Sequence, residues 1–365
     1  MRGLFIEPFY GGSHRAFVDG LARHSSHDLT LLTLPEGEWR RRMRRGAQEL
    51  AEASLTLPGD FDFIVASDML DLPAFLGLTR SRFSALPVML YFHENQFTYP
   101  RLRGTKFNSW FGAINYLSAC AADIVAFNSE FHRQDFLGAL RALDAQPNNW
   151  LVTASIDAIE AKSTVLPVGV ELAWFDDERV ERPSGPPIIL WNHRWEFDKA
   201  PDLFVRTVLR SAAEGMLFRL AVAGDPGNNP SPELVALQTS LPGRIHHFGY
   251  AQDRRRYARL LWESSIVVST TRHEFFGVGM VEALYCECFP LAPARFNYPN
   301  LVPAVLHPTA LFTSEEDFHD KLRSALILPT AAPPALRESA QRFAWPNVAP
   351  EWDIALTTLA ARTSR

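Results

Sequence analysis

The segment SSIVVSTTRHEFFGVGMVEALYCEC, residues 264–288, decides how the rest of the chain is read. Its first part is a continuous apolar run ending in small hydroxyl residues, the pattern of a strand buried on both faces. Its second part places Glu274 and Glu282 eight positions apart in apolar surroundings, with Gly277 and Gly279 between them. In one unbroken helix, residues eight apart are turned by about 80° and separated by about 12 Å. If Glu274 instead lies in the loop and the helix begins near Gly277, both carboxylates reach one ligand over the helix N-terminus. The amides near Phe276, Gly277 and Val278 then offer free N–H groups to an anion, while the carboxylates accept hydrogen bonds from hydroxyls. The alternative, two glutamates facing solvent, fits their apolar flanks poorly.

Outward from this segment the same strand–loop–helix unit recurs. GLFIE, LTLLTL, DFIVAS, VMLYFH, DIVAFNS and STVLPVGVE read as strands, with helices over 13–24, 36–53, 107–122 and 130–140. After the Pro- and Gly-rich ERPSGPP (181–187) the pattern restarts with IILWNH, LFRLAVAGD, RIHHFGY and FPLAP around the quoted strand. Helices are expected from about Ala200, Ser231, Asp253 and Gly277. Apolar runs without period-two alternation suit parallel strands covered on both faces, so the fold class is α/β with two doubly wound, Rossmann-like domains. The boundaries expected are 1–172 for the first domain, 173–187 for a linker and 188–345 for the second. A final helix, after Pro346 and Pro350 within 346–365, is expected to return to the first domain. Two such domains facing each other would leave a cleft at the carboxyl ends of both sets of strands.

Length and composition agree with this. A chain of 365 residues, 47% hydrophobic, is too long for one ordinary core and fits two domains. With 21% charged residues and a net charge of −5, it does not attract polyanions as a whole; such a partner needs a local basic patch. Cys120, Cys286 and Cys288 make neither a disulfide framework nor a zinc set. There is no DxD following a strand and no HExxH, so no metal is expected. The first residues, MRGLFIEPFY, contain Glu7 and read as a strand rather than a signal, and no apolar run reaches 18 residues. The expectation is a cytoplasmic protein without a membrane segment, a monomer or weak dimer.

The polar clusters fall at strand ends, where ligands bind in open α/β sheets. In FYGGSH, Gly11 and Gly12 let backbone approach a ligand and Ser13 can cap the helix that carries His14; a plain turn is the alternative. In YFHENQF, His93, Glu94 and Asn95 follow a strand directly, either as ligand contacts or as a hydrogen-bonded turn. In WNHRWEFDK, Asn192 and His193 precede Arg194 and Lys199, whose fork and point charge suit a diphosphate. The alternative there is a surface pairing of Arg194 with Glu196 or Asp198. Asn128 in AFNSEF, Gly224 in AVAGD and Tyr250 in HFGY occupy equivalent positions. The run EWRRRMRR (38–45) differs in kind. Arg40, Arg41, Arg42, Arg44 and Arg45 form either a solvated face or a hold on a phosphate backbone, which Arg101, Arg103 and Lys106 would extend.

These residues carry a resemblance. Arg194 and Lys199 with Glu274 and Glu282 resemble the retaining glycosyltransferases of GT-B architecture in the glycogen-synthase-like superfamily. The strings EPFYGGSH, YFHENQ, LWNHRWEFDK and HEFFGVGMVEALYCECFPL resemble, more narrowly, the tRNA-queuosine alpha-mannosyltransferase family. That resemblance implies transfer of mannose from GDP-mannose to the cyclopentenediol of queuosine in the anticodon of tRNA-Asp, with retention and without a metal or a bound cofactor. It implies that Glu274 holds the hexose, Glu282 the ribose, and Arg194 and Lys199 the diphosphate. Gly11, Gly12, Ser13, His14, Asn192, His193, Gly224, Tyr250, His273, Phe275, Phe276, Gly277 and Val278 line the donor. His93, as catalytic histidine, joins Glu94, Asn95, Asn128, Arg41, Arg44, Arg45, Arg101 and Arg103 on the acceptor side.

Overall fold

The computed structural model describes residues 1–100, 109–227, 231–327 and 333–364. Arg101, Arg103 and Lys106 lie outside them. Among the described residues the eleven expected apolar runs all form strands, and Leu311–Phe312, which no expected run covered, makes a twelfth. These are β1 (Arg2–Tyr10), β2 (Asp28–Pro35), β3 (Phe63–Ser67), β4 (Val88–Phe92), β5 (Ile124–Phe127) and β6 (Ser163–Val165) in the first sheet. The second sheet holds β7 (Ile188–Trp191), β8 (Arg219–Ala223), β9 (Ile245–Gly249), β10 (Ile266–Val268), β11 (Phe289–Pro293) and β12 (Leu311–Phe312). All recorded pairings are parallel. Helices cover both faces, so β3, β4, β5, β7 and β10 are buried at every position, which explains their lack of alternation.

The order of the first sheet is β2-β1-β3-β4-β5-β6 and that of the second β12-β11-β10-β7-β8-β9. In the first, the winding reverses between β1 and β3; in the second, between β7 and β10. In doubly wound sheets such a reversal opens a crevice beyond the strands' carboxyl ends. Polar residues stand at both: Glu7 and Asp68, which the sequence reading did not single out, beside β1 and β3, and the expected 192–199 and 269–274 beside β7 and β10.

The described residues divide into two compact units, one made by 1–99 and 109–170 together with 345–364, the other by Pro100 and Glu171–Ala344. Residues 173–178 form a short 3-10 helix packed on the second unit. Its Phe175 carbonyl accepts from Trp262 Nε1 at 2.7 Å, and Glu178 pairs with Arg255 and Arg259 at 3.2 and 3.1 Å. The last helix, Trp345–Ala360, belongs to the first unit. It starts at Trp345, earlier than expected: Pro346 sits in the first turn, where no N–H is needed, and Pro350 lies inside the helix. Two indoles anchor it. Trp352 Nε1 donates to the Pro167 carbonyl at 3.1 Å, and Trp345 is buried between Gly20 and Gly169. A Cβ at Gly20 would lie 2.3 Å from Trp345 Nε1, and one at Gly169 2.3 Å from its Cε3.

Gly20→Ala and Gly169→Ala should therefore each destabilise the protein by roughly 1–3 kcal/mol through overpacking. Trp345→Ala should cost about 3–5 kcal/mol, read as a lower urea midpoint. Alanine at both glycines with an unchanged midpoint would show that the indole is not what joins this helix to the unit.

Candidate functional site

In the first unit the crevice is built around a buried carboxylate. Glu7, in β1, is fully buried; its Oε1 accepts from Phe9 N at 2.8 Å and from Ser67 Oγ at 3.0 Å. Its Oε2 lies 3.3 Å from His14 Nδ1 and 3.8 Å from His93 Nε2, and the two imidazoles stand 4.2 Å apart. They carry different charges. Burial opposes a proton on His14, but the Glu7 carboxylate, with Asp68 and Glu94 behind it, outweighs burial and holds the ring protonated up to about 9. His93 is pushed well below the ordinary histidine range by burial and then by the charge on His14. Asp68 is pushed upward by burial and by Glu94 while its Oδ1 accepts from His93 N at 2.8 Å.

The glycine turn lies beside this cluster. The helix Gly12–His24 begins with Gly12 at φ +50, so Gly11 rather than Ser13 occupies the cap position, and no side chain caps it. Ser13 sits exposed in the first turn. A hollow of about 400 Å³ opens here, lined by Tyr10, Gly11, Gly12, Arg15, Thr33, Pro35 and Glu36.

Two expected acceptor contacts turn out to hold the loop itself. Asn95 Oδ1 accepts from Phe97 N and Thr98 N at 3.0 and 3.1 Å, organising a turn. Asn128 donates to the His93 carbonyl at 2.8 Å and contacts His132 Nδ1 at 3.0 Å, so both ends of its amide are engaged. Glu94 accepts from Gln96 Nε2 at 3.0 Å and adds to the negative field at His14. The ligand atoms of Glu7, His14 and His93 lie within 4.8 Å of one another, close enough to hold a metal ion. A metal ion there would have to displace the proton that Glu7 keeps on His14.

In the second unit the small hydroxyl residues after β10 are cross-links. Thr270 Oγ1 donates to the Lys199 carbonyl at 2.9 Å, Thr271 Oγ1 to the Asp198 carbonyl at 3.0 Å, and Arg272 N to the same carbonyl at 2.7 Å. They tie the loop after β7 to the loop after β10. As a result the Lys199 ammonium, only 13% exposed, lies 3.1 Å from Asp198 Oδ2 and 3.6 Å from Glu274 Oε2. Burial works against its charge; Glu274 and Asp198 restore it and raise its pKa. The same ammonium, together with burial, keeps two histidines neutral: His193 falls to about 3 and His273 to about 4.

Arg194 is 59% exposed and pairs with Glu196 at 3.1 Å, the surface arrangement weighed as its alternative. Its charge nonetheless reaches Lys199. Gly224 is required by close backbone approach: a Cβ there would lie 1.8 Å from the His193 carbonyl oxygen. Tyr250 is 69% exposed, following Gly249 at φ +106. Phe275 packs edge-on against His273 at 4.3 Å, and the Phe276 carbonyl accepts from Asn297 Nδ2 at 2.8 Å.

The helix carrying Glu282 runs Val278–Tyr285, entered through Gly277 at φ +101, so Glu274 lies in the loop and Glu282 in the second turn. Glu282 is not the solvent-facing carboxylate of the bland reading. Burial raises its pKa to about 7, against the hydrogen bond from Tyr257, whose OH donates to Oε2 at 2.7 Å. Asn192 Nδ2 in turn lies 3.1 Å from Tyr257 OH and 3.0 Å from the Gly279 carbonyl. Sequence reasoning missed Tyr257, which nothing in RRRYARLLWE distinguishes. It also missed Glu7 and Asp68, although a glutamate inside the apolar β1 run was a visible signal.

Known proteins share both the pattern and the fold. Residues 2–170 match the family model for the tRNA-queuosine alpha-mannosyltransferase N-terminal region, and residues 173–343 that for glycosyl transferases group 1. The tRNA-queuosine alpha-mannosyltransferase of Drosophila melanogaster is 35% identical over 312 residues, covering 82% of this chain and 81% of the relative. Among solved structures, a sucrose-phosphate synthase from Thermosynechococcus elongatus superposes with a TM-score of 0.74 at 14% identity, covering 99% of this chain and 100% of that one. An E. coli trehalose-6-phosphate protein bound with UDP-2-fluoro glucose gives 0.70 at 12% identity, with 99% of each chain covered. At such identities the likeness speaks for the GT-B fold alone. The identity to the fly protein across both units goes further: this chain is a glycosyltransferase and belongs to the tRNA-queuosine alpha-mannosyltransferase family.

Proposed function

We propose that the protein transfers mannose from GDP-mannose to the cyclopentenediol of queuosine at the wobble position of tRNA-Asp, with retention and without a metal. The observation that carries the reading is the 35% identity, spread over four fifths of the chain, to a relative whose name states both the sugar and the modified nucleoside. In this reading the second unit takes the donor. Lys199 and Arg194 meet the diphosphate, Glu274 the hexose, and Glu282 the ribose diol, with Tyr250 beside the base. The first unit presents His93, kept neutral next to a protonated His14, to a hydroxyl.

The chemistry follows from charge. As the C1–O(phosphate) bond breaks, positive charge grows on the sugar and negative charge on the leaving diphosphate. The Lys199 ammonium, shielded from water, stabilises that growing charge more than it stabilises the intact donor. The acceptor oxygen bonds to C1 on the same face, and its proton passes to the departing phosphate oxygen, so no protein nucleophile is needed. Lys199→Ala should lower kcat/KM by on the order of a hundredfold or more, the scale of losing one preorganised electrostatic contact; near-normal turnover would remove the lysine from the mechanism.

The overall reading is tested by incubating the protein with GDP-mannose or UDP-glucose and with tRNA carrying or lacking queuosine, then weighing the nucleosides. A hexose increment only on queuosine, only with GDP-mannose and undiminished by EDTA, is the expected result. Hydrolysis or epimerisation of the donor without tRNA would point to another GT-B activity, and an increment with UDP-glucose to another donor.

A pH profile tests the Glu282 arrangement. The ionised carboxylate is the form that accepts hydrogen bonds from a diol, so kcat/KM for the donor should rise through about pH 7 and level off above it. Tyr257 favours the ionised form, so Tyr257→Phe should move this limb to higher pH and raise KM more than it lowers kcat. The stability sign is opposite. Because the folded pKa lies above the unfolded one, the folded chain keeps this proton between about 4.5 and 7, and the group's contribution to stability declines as pH rises across that window. A limb that stays in place in the phenylalanine variant would reduce Tyr257 to packing.

A further inference from the structure

The helix Trp39–Ser54 is divided by charge. Met43, Gly46, Ala47, Leu50 and Ala51 face the core. Arg42, which the sequence grouped with its neighbours, turns back instead: it donates to the Pro35 carbonyl at 2.7 Å and lies 3.4 Å from Glu49. Arg40, Arg41, Arg44 and Arg45 remain, exposed, at i, i+1, i+4 and i+5, which places them on one face. Arg41, Arg44 and Arg45 line, with Glu38, a hollow of about 400 Å³. Among the described residues Glu49, 3.7 Å from Arg45, and Glu38 at the hollow's edge are the acidic groups set beside this charge.

Like charges four apart disfavour a helix, and a chain of net charge −5 gains nothing in solubility from four guanidiniums in two turns. An anionic partner resolves that repulsion. The neighbouring aromatics narrow its identity. Arg40 lies over the Trp39 ring at 4.7 Å and Arg44 over the Phe111 ring at 5.5 Å; the two rings are 5.0 Å apart. Trp110, next to Phe111 in the chain, is 58% exposed. Guanidinium forks match phosphate oxygens, and the exposed part of an indole can meet an unpaired base.

We propose that this face docks an RNA stem-loop, phosphates on Arg40, Arg41, Arg44 and Arg45 and an unpaired base on Trp110. The proposal rests on the tRNA acceptor reading and deepens it by naming the surface. It is tested by fluorescence anisotropy of an unmodified tRNA transcript and a blunt RNA duplex of equal length, at several salt concentrations. The Arg41→Ala/Arg44→Ala variant should bind the transcript about tenfold or more weakly, with the slope of log affinity against log salt reduced by about 1.5–2. Its thermal unfolding midpoint should be no lower than the parent's, since the change relieves repulsion on the helix. Trp110→Ala should weaken the transcript about tenfold while sparing the duplex. Both variants binding the transcript as the parent does, with the same slope, would overturn the surface. So would a parent that ignores RNA but binds vesicles of phosphatidylserine and phosphatidylcholine through these arginines. If the surface binds the transcript as expected yet queuosine tRNA gains no hexose, the surface stands and the proposed reaction falls.

Discussion

The Lys199 ammonium sits nearly out of water between Asp198 and Glu274, and much of the second unit's polar geometry follows from holding it there. A buried cation needs counter-charge and fixed neighbours. The hydroxyls of Thr270 and Thr271 supply the fixing by binding the carbonyls of Lys199 and Asp198. They can reach only because β7 and β10 are adjacent, the point at which the sheet reverses its winding. Burial first, and then this cation, keep His193 and His273 neutral. One topological fact thus fixes the position of a charge, and that charge adds to what burial does to the protonation of its surroundings.

The first unit uses the same logic with the opposite sign. Here the buried charge is a carboxylate, Glu7, secured by Phe9 N and Ser67 Oγ beside the β1–β3 reversal. It holds His14 charged, while burial and then the charge on His14 keep the adjacent His93 neutral. A neutral imidazole beside a charged one can help orient a hydroxyl; in the proposed reaction the hydroxyl proton itself goes to the leaving phosphate.

Much of this was legible in the sequence because burial on both faces leaves a plain trace. The runs VMLYF and IIL suit covered strands, and polar residues directly after such strands fall at the crevice. The placement of Glu274 in a loop and Glu282 in the second turn followed from glycine: Gly277 takes φ +101, where a side chain is strained. What the chain order could not reveal were partners distant in sequence. Tyr257 meets Glu282 across 25 positions, and Ser67 meets Glu7 across 60. Local patterns also mislead where a side chain has two uses: Asn95 and Asn128 stand at a strand end as ligand contacts would, yet they hold the loop that presents His93. Short helices such as Leu72–Leu78 and Pro334–Gln341 carry too few turns for a periodic signal.

The arginine helix shows how the same residue type at adjacent positions separates into two roles. A run of five looks like one patch when read in order, but the 3.6-residue turn sends Arg42 toward Pro35 and Glu49 and leaves four side chains outside. The inward arginine stabilises the helix by local pairing; the outward four strain it by repulsion. A fold under no other demand would relieve that strain with glutamate at Arg41 or Arg45, keeping the contacts of Arg40 with Trp39 and of Arg44 with Phe111 above the core that Met43 helps build. The retained repulsion is therefore better explained by an anion that meets this face than by the needs of the fold itself.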